Sequence, residues 1–66
     1  MKTVQQLRQE RQKLIADARA MLDKAEQEKR DLSDEESTQY DGLLAQADTL
    51  LTKINREERL QGLEAE

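Results

Sequence analysis

The residues best placed to do chemistry are the acidic run Asp34, Glu35 and Glu36. Carboxylates supply the oxygen ligands that Ca²⁺ and Mg²⁺ take, but the Asp-x-Asn-x-Asp-Gly spacing of a calcium loop is absent. Ser33 stands immediately before the run. Its hydroxyl is spaced to accept from the backbone N–H of Glu36, whose carboxylate can reach back to the N–H of Ser33. This is a capping box, and three acids in a first helical turn also suit the positive end of the helix dipole. A helix start at about Asp34 explains Ser33 and all three acids without a metal.

Other candidates are sparse. The sequence has no Cys and no His, which removes the thiolate nucleophile, the imidazole base, the disulfide and the ordinary zinc site. Tyr40 is the lone aromatic residue and opens an apolar stripe, so it reads as a packing residue rather than a catalytic phenol. The basic set Lys2, Arg8, Arg11, Lys13 and Arg19 is interrupted by Glu10 and Asp17 and has no aromatic neighbour for stacking. A solvated face is expected there, with no nucleic-acid partner and no membrane. A pocket with activated groups is hard to build on such a chain, and neither enzymatic activity nor a cofactor is expected.

The elements that position these residues follow from periodicity. Val4, Leu7, Leu14, Ala18, Met21 and Ala25 step by three, four or seven, and Ile15 and Leu22 widen the stripe on one side. This predicts a helix over about 3–29. With Val4 at heptad position a, Leu7, Leu14 and Met21 fall at d, Ala18 and Ala25 at a, and Arg11 is the one exception at a. Lys29 and Arg30 suit the negative end of that helix. A turn is predicted at about 30–33 and a second helix over about 34–61, carried by Tyr40, Leu43, Leu44, Ala47, Leu50, Leu51 and Ile54. Gly62 reads as the stop, with Leu63 packing back and a frayed tail after it. Asp41-Gly42 would mark a hairpin between strands, but its flanks have helical periodicity.

Charge agrees with a hairpin. Residues 1–30 carry eight Lys/Arg against five Asp/Glu, net +3, and residues 31–66 carry three against ten, net −7. Two segments of opposite sign suit an antiparallel seam. Folding the chain at the turn sets Ala18 near Ala47 and Gly42 opposite Leu22, where a close helix approach would offset the cost of a mid-helix glycine. It also brings Arg11 near Ile54, Glu57 and Glu58. Arg11 is read either as a register ion pair with Glu57 or Glu58, or as a side chain laid along the seam with its head in water. The expected fold is all-α, one antiparallel two-helix coiled-coil hairpin over 1–66. So thin a rod leaves Leu44, Leu51, Ile15 and Leu22 partly wet, which favours self-association into a helical bundle.

No run of about 18 apolar residues is present, the N-terminal MKTVQQLRQE lacks a signal-type apolar region, and the absence of Cys fits a reducing compartment, so an intracellular location is expected. The runs LRQER at 7–11, AMLDKAEQEKRDLSDEE at 20–36, YDGL at 40–43 and INREERLQGLEAE at 54–66 resemble the N-terminal delta domain of tailed-phage major capsid proteins. Lys29 departs from the pattern, standing where a Gly is expected before Arg-Asp-Leu. The sequence also stops at Glu66 without the shell-forming domain expected from that family, which is read either as an excised fragment or as a similar-looking free protein.

The resemblance implies a scaffold that guides capsid subunits into capsomers. Its partners would be itself, other capsid subunits and a maturation protease that removes it. Its location would be the host cytoplasm, inside the procapsid. The rival readings are a hairpin that presents a helix face to an unrelated protein groove, and a coiled-coil arm of a larger protein.

Overall fold

The computed structural model describes residues 2–66. Two helices, α1 (Val4–Gln27) and α2 (Asp34–Glu64), pack against each other as a hairpin. The fold is all-α, with a rod-like envelope of 53 × 17 × 17 Å. Such a rod has one seam and no second layer.

Both helices begin with a capping box. Thr3 accepts from the Gln6 N–H at 3.2 Å and donates its own N–H to Gln6 Oε1 at 2.9 Å. Ser33 accepts from the Glu36 N–H at 3.2 Å and donates its N–H to Glu36 Oε1 at 2.9 Å. Each cap satisfies donors that a helix start otherwise leaves unpaired. Within α2, Thr38, Thr49 and Thr52 donate their hydroxyls to carbonyls one turn back, which keeps these β-branched polar residues compatible with the helix.

The first helix ends at Gln27, two residues before the expected end. Glu28 is its cap, and Lys29 takes the left-handed conformation at φ 53°. The Lys29 N–H then donates to the Glu26 carbonyl and the Arg30 N–H to the Ala25 carbonyl, both at 3.0 Å. This is a Schellman closure, normally made with glycine at the left-handed position. Lysine performs it here at a conformational cost of about 1–2 kcal/mol, offset by the two carbonyls it satisfies.

The second helix runs on to Glu64, three residues past the expected end at Gln61. Gly62 lies inside it with no positive φ, so it is not a stop. Leu63 is exposed and does not pack back. A glycine terminates a helix only when it adopts the left-handed turn that closes the last carbonyls, and here the backbone continues instead.

Gly42 also departs from expectation. A Cβ built on it would meet nothing within 4 Å, so no close helix approach requires a glycine there. Gly42→Ala is therefore expected to raise unfolding stability by about 0.5–1 kcal/mol, through helix propensity and a less flexible unfolded chain. Urea midpoints at matched concentration would read it. A lower midpoint would mean that the position is crowded or strained.

Candidate functional site

The heptad frame divides the surface of the rod into a seam and two flanks. On α1 the seam positions are Val4, Leu7, Arg11, Leu14, Ala18, Met21 and Ala25, all buried or half-buried. On α2 from Glu36 to Glu57 they are Glu36, Tyr40, Leu43, Ala47, Leu50, Ile54 and Glu57, likewise buried or half-buried, while the next two, Gln61 and Glu64, are exposed. Among the described residues, Leu7, Ala18, Ala25, Ala47 and Ile54 are the buried residues of the core. The 3-4 spacing is unbroken on both helices, as knobs-into-holes packing requires.

One cross-helix ion pair sets the level of the two helices. Arg8 Nη2 lies 2.7 Å from Glu58 Oε2. Both residues occupy position e, and in an antiparallel pair e faces e across one flank. One heptad along each helix from this pair brings Ile15 level with Leu51, and a second brings Leu22 level with Leu44. Ile15, Leu44 and Leu51 are 39%, 38% and 37% exposed, while Leu22 is half-buried. The g positions on the opposite flank are Glu10, Asp17 and Lys24 on α1, and Gln39, Gln46, Lys53 and Leu60 on α2. Between the turn and the level of Glu10 and Lys53, one flank is therefore apolar and the other polar, and Leu60 lies beyond that stretch toward the open end.

The Arg11 ion-pair reading needs correction. Glu58 is held by Arg8, and among the described residues no ion pair joins Arg11 to Glu57 or Glu58. Arg11 Nε is buried without a hydrogen-bond partner. Arg8 at e crosses the outside of the seam to an acid at e, whereas Arg11 at a points its stem into the apolar layer. The alternative of a stem laid along the seam is closer to this placement.

A polar cluster joins the helix ends at the turn. Arg30 grips Glu36 with two donors, Nη1 to Oε1 at 2.6 Å and Nη2 to Oε2 at 3.1 Å. Arg30 Nη2 also donates to Glu28 at 3.3 Å, and Nη1 to the Asp31 carbonyl at 3.1 Å. The guanidinium fork matches a carboxylate, so this pair is more directional than a lysine pair would be. Sequence reading found the cap at Ser33 and Glu36 but not Arg30, which reaches Glu36 only once Lys29 has reversed the chain.

The Arg30 hydrogen bonds, with help from the Ser33 backbone N–H, hold the Glu36 carboxyl well below its ordinary 4.5, at about 2. A carboxylate depressed in the folded state stabilises above its unfolded value and loses that contribution as pH falls toward its folded value. The hairpin is thus expected to lose thermal stability between about pH 5 and pH 2. In Glu36→Gln, which keeps the capping box but not the charged fork, that loss should be smaller. Melting curves across the range test this, and equal losses in both proteins would dismiss the Arg30–Glu36 fork as a source of stability.

Asp34, Glu35 and Glu36 all lie in the first turn of α2. Among the described residues no group of three or more His, Cys, Asp or Glu is arranged to hold a metal ion, and no helix is long and apolar enough to cross a membrane. Comparison with protein-family models, curated proteins and solved structures finds no match to this chain. The fold and surface define a helical hairpin with one apolar flank.

Proposed function

We propose that the hairpin is a self-associating scaffold module that brings the subunits carrying it together during assembly. Its resemblance to the phage capsid delta domain makes those subunits capsid proteins and the product a procapsid. On this reading the partners are other copies of the chain and other capsid subunits. A maturation protease removes the module inside the procapsid in the host cytoplasm, and the chain performs no catalytic step.

The observation that carries the reading is the flank with Ile15, Leu44 and Leu51 more than a third exposed on a rod that has only one seam to bury apolar surface. Association covers such surface at about 25 cal/mol per Å² removed from water, less the freedom lost on pairing. A few side chains per copy give weak, reversible contacts, which let misplaced subunits dissociate. Opposite net charges on the two halves supply register and partner choice.

Sedimentation equilibrium over a roughly hundredfold concentration range, with helicity followed on the same samples, tests the proposal. Association coupled to rising helicity is the expected result. A stable helical monomer at every concentration would overturn self-association and favour a hairpin that docks into an unrelated groove.

A further inference from the structure

The geometry points to one particular pairing: two copies meet through the flank of Ile15, Leu22, Leu44 and Leu51, with their turns at the same end, so that α1 of each lies on α2 of the other. This rests on the self-association reading and deepens it by naming the face, the partner and the orientation.

The choice of face follows from the flanks. The Arg8–Glu58 pair closes one end of the apolar flank, and beyond it Ile15 with Leu51 and Leu22 with Leu44 form two successive apolar layers. The opposite flank carries Glu10, Asp17 and Lys24 beside Gln39, Gln46 and Lys53, and burying these would leave charges to be desolvated. One apolar face per rod makes a closed pair, since a second copy covers it and leaves nothing to propagate.

The choice of orientation follows from charge. The outer borders of the face are the b positions, which are Gln12, Arg19 and Glu26 on α1 and Asp41, Asp48 and Asn55 on α2. Counted from the Arg8–Glu58 pair, Arg19 and Asp48 stand within about 1.5 Å of the same level along the rod. A two-fold axis along the rods keeps every level and lays α1 on α2, so Arg19 of each copy meets Asp48 of the other. Arg8 of each copy then also approaches Glu58 of the other. Glu26 and Asp41 come level near the turn and oppose this arrangement, so it has two attractive sets against one repulsive set.

A two-fold axis across the rods instead lays α1 on α1. Centred on the apolar layers, it sets Arg19 against Arg19 and Asp48 against Asp48, with no attractive set at the border. In the free hairpin Arg19 lies 3.7 Å from Asp23 in a largely exposed pair, which leaves it available to a stronger acid partner.

The test is the dimer dissociation constant, from sedimentation equilibrium, for the wild type, Leu44→Ala, Leu51→Ala, Arg19→Glu, Asp48→Lys and the Arg19→Glu/Asp48→Lys double variant. Helicity on the same samples confirms that the exposed charge variants stay folded. Leu44→Ala and Leu51→Ala are expected to weaken the dimer strongly. Each charge reversal turns two attractive contacts into repulsive ones and should weaken it about tenfold, while the double variant returns to within about threefold of wild type.

Because the chain has no cysteine, Arg19→Cys and Asp48→Cys can also be introduced singly. A mixture of the two should cross-link into mixed disulfide dimers in preference to either alone. If wild type dimerises but the charge reversals have no effect, or Arg19→Cys cross-links best to itself, this pairing is overturned and self-association stands. If wild type is monomeric throughout, the self-association reading fails and the pairing falls with it.

Discussion

Ile54→Ala is expected to lower the unfolding free energy of the hairpin by about 2–4 kcal/mol, enough to remove most of its cooperative transition. Ile54 is 2% exposed, the most deeply buried large side chain among the described residues. Of the other four buried residues three are alanines, so Ile54 and Leu7 supply most of the fully dehydrated aliphatic bulk. A 66-residue domain holds only about 3–10 kcal/mol in total. Removing three carbons from a seam with no second layer to collapse into the gap takes a large part of that.

Leu60→Ala is the control: Leu60 is 52% exposed, and its truncation should shift stability by less than about 0.5 kcal/mol. Urea denaturation at one protein concentration distinguishes the two, because association would otherwise add a concentration-dependent contribution. Equal small effects would mean that the seam is not where the fold derives its stability.

How much of this was legible in the sequence depends on the kind of signal. The seam was legible because heptad spacing is a periodic property of many residues, and one exception such as Arg11 does not erase it. The start of α2 was legible because Ser33 and Glu36 satisfy each other within four residues. The same Thr-x-x-Gln pattern at Thr3 and Gln6 marks the start of α1 and could have been read in the same way.

What sequence reading missed depended on backbone geometry and on lateral position. Lysine as a residue type carries no sign of the left-handed region, and the one hint was the Gly that the resemblance expects at position 29; the conformation shortens α1 and brings Arg30 to Glu36. Gly62 looked like a stop, but a glycine permits the terminating turn without enforcing it. Folding the chain at the predicted turn sets Gly42 opposite Leu22. The Arg8–Glu58 level instead sets Leu22 against Leu44 and leaves the space around Gly42 open. That same level decided the ion pair at the open end, where the flank a residue occupies mattered more than its distance from the turn.

Arg11→Leu is the second large effect, and its sign is opposite. Arg11 interrupts the a positions of α1, its Nε is buried, and no acceptor reaches that atom. A buried donor without a partner costs about 1–3 kcal/mol, because it gave up water and gained no hydrogen bond. Leucine at this position fills the seam with apolar volume and removes the orphaned donor, so the variant should be about 1–2 kcal/mol more stable by urea unfolding. A loss of stability would show that the guanidinium makes a favourable contact stronger than the penalty at Nε. On the proposed self-association, the gain also bears on assembly. A single polar residue at an a position favours one register at some expense of stability, and without it the stripe on α1 is apolar from Val4 to Ala25. Arg11→Leu should therefore associate into a broader mixture of species than wild type, seen as a spread of masses in sedimentation velocity. A sharper single species would show that Arg11 does not select register, and would leave the charged borders of the apolar flank to do so.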